Sequence, residues 1–369
     1  MKAICHREGL LAAVQLASAA LPARDVAKPI LKNLKAVADD GRCTLMATDL
    51  ELGIRLDVRG LTVQEPGEAI LPASRLAQIL RETPDEELSI EADASACVVR
   101  GRQAEFEMPS EDPAHFPDLP TFEDENYHEL SAGALREMIR RTVFATADGE
   151  ATRFSTNGVL WELEGDQARL VATDGRRLAL SQGQATGRGG HSTKGTAPVV
   201  PAKAMNLLER NLQDDDELVS VSLRPHEALF RTERATVYSR LVEGRFPPYR
   251  DAFPKKAAVK VVLPVTPFFA AVRQAKIMTD DDSKRVTFAF AKGKLTLEAK
   301  GATTGRSKVE MPLEYDAKAI SIGFNPDFLV DMLRVLPADA ELLLELVDGN
   351  SPALFRQGGD YSYLVMPLT

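Results

Sequence analysis

The side chains that most often carry chemistry are present in this chain but poorly grouped. Five histidines, His6, His115, His128, His191 and His226, are scattered, and no HExxH pair puts two imidazoles on one metal. No GxSxG offers a nucleophile elbow, and no GxxxxGK[ST] run cradles a phosphate. The glycine-rich residues 182–195 lack the strand before and the helix after that a phosphate loop needs, so they are expected to form a mobile hairpin tip. Asp214-Asp215-Asp216 and Asp280-Asp281-Asp282 could suggest a divalent cation, but consecutive acids lack the alternating spacing of a calcium loop. Solvated turns are expected there. No catalytic residue, metal or cofactor is assigned, and a metal-dependent enzyme is the weakest of the functional readings.

The basic residues are more informative. With 45 Lys+Arg against 54 Asp+Glu, the chain carries −9 and repels nucleic acid unless its cations are segregated. Six segments are expected to be helical: 7–20, 72–82, 131–147, 201–212, 264–279 and 325–336. Together they hold a net charge of about +5 in this acidic chain, with Arg136, Arg140 and Arg141 off one apolar stripe and Arg273 and Lys276 off another. Helices shared by repeated units can form one cationic surface, and such a surface touches phosphates without reading bases. Weak, salt-dependent, sequence-independent binding follows. Aromatic platforms for stacking single strands are absent from the cationic faces of these segments.

These cations need elements to hold them, and the chain supplies the same elements three times. Its 369 residues suggest two or three domains. Ala47-Thr48-Asp49-Leu50-Glu51-Leu52 returns as Ala172-Thr173-Asp174-Gly175-Arg176-Arg177-Leu178. Leu71-Pro72-Ala73 returns as Val200-Pro201-Ala202, and Phe116-Pro117 as Phe246-Pro247, each about 125 to 130 residues later. A more degenerate third copy runs through residues 295–300, Asn325-Pro326-Asp327 and residues 361–367. Units of this size are domains and not solenoid repeats. Pro-rich linkers place them at 1–126, 127–255 and 256–369.

Within the units, strands dominate. Leu50, Leu52, Ile54, Leu56 and Val58 alternate with polar residues, as do Val159, Trp161 and Leu163, the mark of half-buried antiparallel sheets. Ser131, Thr266 and Asn325 are candidate helix caps, the last two followed by proline. Asp49 and Asp174 are expected to bond the backbone of their own turns, with Gly175 supplying a positive φ. The fold class is α+β, three repeated units of two helices each with antiparallel sheets.

Composition narrows the setting. Cys5, Cys43 and Cys97 form no CxxC and no disulfide framework, which points to a reducing cytoplasm. No run of 18 apolar residues spans a membrane. Residues 10–16 followed by Ala17-Ser18-Ala19 imitate a signal peptide, but the repeat requires a helix there.

Taken together, the ATD-centred turns, LPASRLAQIL, VVPAKAMNLLER, SRLVEGRFPPYRDAFP, IGFNPDFLVDML and YLVMPLT resemble the bacterial β sliding clamp family over the whole chain. The resemblance implies a non-catalytic processivity subunit: a head-to-tail homodimeric ring of six domains, cationic helices lining the hole. Its partners would be double-stranded DNA, the replicative polymerase's catalytic subunit, the clamp loader, and repair and translesion polymerases bearing short linear motifs. A nucleoid-associated cytoplasmic location goes with them. The alternative is a three-domain interaction scaffold that forms no ring.

By residue, DNA contacts fall to Arg24, Arg75, Arg136, Arg140, Arg141, Lys203, Arg273 and Lys276. A partner-peptide pocket is implied at Arg153, Thr156, Thr173, Gly175, Arg176, Arg177, Leu178, Pro247, Ala252, Asn325, Phe328, Leu364 and Met366, with Leu178, Pro247, Leu364 and Met366 as its apolar floor. The dimer seam is implied at Phe106 and Met108 packing on Ile277 and Met278. The chain departs from the family at Glu150, Phe154 and Ser155, where a polar residue and two tyrosines face DNA, and at Arg176, where His or Tyr is common.

Overall fold

The computed structural model describes residues 1–23, 26–39, 41–149, 154–280 and 284–368. Among the described residues six α-helices form where the apolar spacing and caps demand them: α1 (Arg7–Ser18), α2 (Ala73–Glu82), α3 (Ala132–Arg140), α4 (Ala202–Asn211), α5 (Val265–Lys276) and α6 (Pro326–Arg334). Ser131 Oγ accepts from Ala134 N–H at 3.3 Å and Asn325 Oδ1 from Asp327 N–H at 3.0 Å, so two of the three expected caps hold. Thr266 does not cap. α5 begins one residue before it, and its hydroxyl donates to the Ala338 carbonyl.

α3 is shorter than its sequence pattern. Thr142 Oγ1 donates back to the Met138 carbonyl at 2.8 Å and the helix gives way to a 3₁₀ turn over Val143–Ala145. A hydroxyl that bonds the preceding turn offers the backbone an alternative to continuing the helix. Arg141 therefore lies beyond the helix.

The chain forms two compact units. The first comprises Met1–Leu135 and Ala185–Leu241, the second Arg136–Gln184 and Val242–Thr369. In the first unit, a five-stranded sheet has Leu61–Glu65 and Glu105–Pro109 at its ends, and a nine-stranded sheet has Leu52–Asp57 paired with Ala235–Arg240 in its middle. α1 buries Leu10, Ala13, Val14 and Ala17, and Ile30, Leu31, Met46, Ile70, Phe116 and Leu119 make a second core cluster.

In the second unit, Gly158–Glu164, Gln167–Thr173 and Arg177–Gln184 run side by side, and Arg177–Gln184 pairs with Tyr361–Val365. A four-stranded sheet runs from Gly305–Pro312 at one edge to Ile320–Phe324 at the other. Phe268, Phe288, Phe324 and Phe355 pack ring on ring in its core, with centroids 5.4 to 6.5 Å apart.

A common joint recurs. The strand that leaves the ATD turn of the first repeat (Leu52–Asp57) pairs with the last strand of the second repeat (Ala235–Arg240). The strand that leaves the ATD turn of the second (Arg177–Gln184) pairs with the last strand of the third (Tyr361–Val365). Both turns are tied as expected: Asp49 Oδ1 accepts from Glu51 and Leu52 N–H, and Asp174 Oδ1 from Arg176 and Arg177 N–H. Leu50 departs from the alternation assigned to it. It stands at φ 80°, 45% exposed, in the position that Gly175 fills at φ 84°.

The cysteines are buried, and burial pushes the thiols up to about 12, 11 and 12 for Cys5, Cys43 and Cys97, so none is a thiolate. Among the described residues no helix is long and apolar enough to cross a membrane, and no three metal-capable side chains cluster.

Candidate docking site and nucleic-acid interface

Arg177 organises the candidate docking site. Its Nε donates to Asp174 Oδ2 at 3.0 Å, Nη1 to Asp331 Oδ2 at 2.7 Å and Nη2 to the Phe144 carbonyl at 2.8 Å. The guanidinium lies over the Phe328 ring at 4.6 Å and the Phe144 ring at 5.6 Å. Burial opposes its charge, but Tyr363 and the carboxylates of Asp331 and Asp174 outweigh that and raise its pKa further. Arg177 is thus a fixed wall with every nitrogen already engaged. Tyr363 supports the same wall by donating to the Phe328 carbonyl at 2.8 Å.

The apolar part lies beside it. Leu178 pairs with Leu364 across the joint, and both are almost fully covered, at 4% and 2% exposure. Met366 is 42% exposed and its N–H donates to the Arg176 carbonyl at 2.8 Å. Of the apolar residues assigned to the pocket, Met366 is therefore exposed and Phe328 and Pro247 are half-buried, whereas Leu178 and Leu364 are covered.

The remaining implied residues fall into place unevenly. Thr173 Oγ1 donates to the Arg177 carbonyl at 2.6 Å and accepts from Gly175 N–H, shaping the turn. The Asn325 carboxamide oxygen is taken up in capping α6. Pro247 and Ala252 flank Tyr249, whose hydroxyl bonds Glu162 at 3.0 Å and is pushed up to about 12 by burial and that carboxylate. Among the described residues no hydrogen bond ties Thr156, Pro247 or Ala252 to the Arg177 cluster. Arg153 lies outside the described residues. Sequence reasoning missed Phe144, Asp331 and Tyr363. Only the arginine's need for partners once buried could have flagged them.

Of the assigned DNA contacts, Arg75, Arg140 and Arg273 are exposed on α2, α3 and α5, and Arg136 is half-buried on α3. Arg24 lies outside the described residues, as does Glu150. Lys203 is exposed but tied to Asp49 Oδ2 at 2.6 Å and the Leu21 carbonyl at 3.1 Å, and Lys276 pairs with Asp327. Ser155 is fully buried and donates to the Glu243 carbonyl at 2.7 Å, which removes it from any DNA face.

Arg141 is a correction. It is 3% exposed, bonded to Glu137, to Asp360 at 2.8 Å and to Gln357 at 3.0 Å, and it covers the Tyr361 ring at 5.5 Å. A cation enclosed this way is not available to a phosphate. Arg141→Ala is expected to lower unfolding stability by about 2 to 4 kcal/mol, since it strands buried polar partners. It should leave the salt slope of DNA binding unchanged, which denaturant melts and a salt titration check together.

Two recesses carry basic residues, of which Lys32, Arg81 and Lys284 were not singled out from sequence. Lys32 and Arg81, with Ser18 and Ser74, line a groove of about 380 Å³ between α1 and α2. Arg273, Lys276 and Lys284 line a cleft of about 800 Å³ at the end of α5.

At the assigned seam, Phe106 is 37% and Ile277 69% exposed, Met278 is half-buried, and Met108 is a second correction. At 6% exposure its side chain is already covered within its own domain: it shares a strand face with Phe106, two residues away, but lies opposite buried Cys97. The strands bearing Phe106 (Glu105–Pro109) and Arg306 (Gly305–Pro312) each end a sheet.

Comparison with known proteins gives matches along the whole chain. Residues 1–120, 129–248 and 250–369 match the N-terminal, central and C-terminal domains of the DNA polymerase III beta subunit. The chain is 30% identical over 368 residues to the beta sliding clamp of Pseudomonas putida, covering 98% of each, and 28% identical over 371 residues to that of Escherichia coli K12, covering all of both. Among solved structures, the Pseudomonas aeruginosa sliding clamp bound to griselimycin is similar at a TM-score of 0.90 and 28% identity, over 100% of this chain and 99% of that one. The Thermotoga maritima beta subunit is similar at 0.89 and 25%, over 100% and 99%. These relatives are named for a clamp and not for a catalysed reaction. The chain belongs to the DNA polymerase III beta subunit family and is a non-catalytic sliding clamp.

Proposed function

We propose that two copies of this chain close head to tail into a ring around duplex DNA and tether the replicative polymerase and other partners through the Arg177–Met366 surface. The repeats at 1–126, 127–255 and 256–369 serve as its three clamp domains. One observation carries this reading. Each joint pairs an ATD-turn exit strand with the last strand of the next repeat, and one strand of each kind is left over, Gly305–Pro312 and Glu105–Pro109.

These two leftover edges are complementary halves of a further joint of the same kind. Exposed edges invite pairing, and a heterologous contact that closes makes a ring. Glu105 and Glu107 on one strand and Arg306 and Lys308 on the other supply opposite charge, and exposed Phe106 and Ile277 supply apolar area.

Encirclement asks little of each phosphate contact. Exposed Arg75, Arg140 and Arg273 then act as loose, sequence-independent guides that leave sliding fast. The polymerase, held through a short segment on the docking surface, moves with the ring, in the cytoplasm where the chromosome lies.

Topology provides the test. Loaded onto nicked circular DNA, the protein is expected to stay bound through gel filtration at moderate salt, and linearising that DNA should release it within minutes. Equal retention on both forms would favour the scaffold reading instead.

A further inference from the structure

We propose that the open edge of the strand Val259–Pro264 takes up an extended, acidic segment of a partner protein as one more antiparallel strand. This edge is separate from the Arg177–Met366 surface: in the shared sheet, Ala353–Gln357 and Glu341–Leu346 lie between it and Tyr361–Val365.

The internal repeat provides the comparison. The first strand of each repeat runs straight into its first helix, Lys2–His6 into α1, Tyr127–Ser131 into α3 and Val259–Pro264 into α5. In the first two repeats that strand is paired on both sides. Lys2–His6 lies between Leu61–Glu65 and Glu87–Ala92, and Tyr127–Ser131 between Thr186–Arg188 and Leu218–Leu223. Val259–Pro264 pairs with Glu341–Leu346 and ends its sheet. Among the described residues no strand covers its other side.

The third repeat has no spare segment for that task. Residues 313–319 stand where the covering strand arises in the other copies, but they are committed elsewhere. Leu313 N–H donates to the Gly293 carbonyl at 3.1 Å and Gly293 N–H to the Tyr315 carbonyl at 3.0 Å, with both side chains of the segment buried. A cover must come from outside the chain.

Backbone groups are ready to receive it. Val265 N–H donates to the Ala340 carbonyl at 3.0 Å, and stepping back by twos along the register gives Leu263, Val261 and Val259 the bonds to Glu341–Leu346. Lys260 and Val262 therefore turn their N–H and C=O groups to the open side, and Pro264 has no N–H to leave unpaired there. Both side chains are exposed, Val262 at 47%.

The same comparison gives the chemistry of the occupant. Counted back from the helix starts, Lys260 stands where Lys2 does and Val262 where Ile4 does. The first repeat's cover sets Glu65 opposite Lys2, and the second repeat's cover pairs Arg188 with Glu129 at 2.7 Å. Each existing cover thus brings a charge opposite to one on the strand it joins. Around the open edge the charge is positive: Lys255 and Lys256 are exposed and, among the described residues, make no ion pair, and Glu345, which meets Lys260 at 2.8 Å, is shared with Arg356 at 3.6 Å. Ladder bonds supply the affinity of an added strand, and the lysines select an acidic one.

The test uses the capped peptide acetyl-Gly-Leu-Thr-Val-Gln-Glu-Gly-amide, copied from Leu61–Glu65, and a counterpart with Lys in place of Glu, titrated into the full chain and read by hydrogen exchange. At saturation the Glu peptide is expected to slow exchange of the Lys260 and Val262 amides at least about tenfold. It should bind about two- to fivefold tighter than the Lys peptide at low salt, the range of an exposed ion pair. Val262→Pro removes an outward N–H without touching the bonds to Glu341–Leu346 and should abolish the slowing, whereas Lys260→Glu should reverse the preference between the peptides. No slowing at peptide concentrations up to about 5 mM would mean that Lys260 and Pro264 merely guard a bare edge, and would overturn the inference. Slowing that survives Val262→Pro, a preference unchanged in Lys260→Glu, or slowing confined to residues 361–366 would overturn it equally.

Discussion

Met366→Ser is expected to weaken binding of partner segments at least about thirtyfold, the loss of a hot spot of about 2 kcal/mol, without moving the melting temperature. The side chain is 42% exposed, so its truncation removes little internal packing. Leu364→Ala is a poorer probe despite its place in the same strand. At 2% exposure and paired across the joint with Leu178, it should cost about 2 to 5 kcal/mol of stability, and weakened binding could then reflect unfolding. Anisotropy titration and thermal melts on both variants separate the two effects. Undiminished affinity in Met366→Ser with an intact melt would mean that the docking surface lies elsewhere.

The second large effect concerns assembly. Ile277→Asp, alone or with Phe106→Asp, is expected to convert the ring to monomers at micromolar concentration and to abolish retention on circular DNA. Both residues are exposed within one copy, Ile277 at 69% and Phe106 at 37%, so a charge there is tolerated by the monomer. In the proposed ring the same charge would be desolvated without a partner, which is costly. Sedimentation velocity gives the answer directly. A variant that still sediments as the parent does would place the seam on other edges.

The scaffold of this protein could be read from sequence because it is written three times. The ATD turns are local: the Asp bonds to its own backbone in both copies and the positive φ of Gly175 appear as expected, whereas Leu50, read as a strand residue, takes the same positive φ in the first copy. Helix positions followed from apolar spacing, except where Thr142 diverts α3 by bonding backward. What pattern could not supply was the destination of long cations. Arg141 and Arg177 both look like solvated charges in sequence, yet each is drawn under cover by acids more than 150 residues away, Asp360 and Asp331. Met108 failed for a simpler reason, since alternation puts it on the same face as Phe106 but does not say which of the two the rest of the domain covers.

The shared sheets have a further consequence for how the molecule comes apart. Because backbone pairing crosses from one repeat to the next, the two compact units divide inside the second repeat, at Leu135, Gln184 and Leu241, and not at its ends. The repeats and the compact units are therefore different objects here. Excising the second repeat alone would bare two hydrogen-bonding rims at once, on Arg177–Gln184 and Ala235–Arg240, and yield a sticky, aggregation-prone fragment, although ancestry would call it a domain.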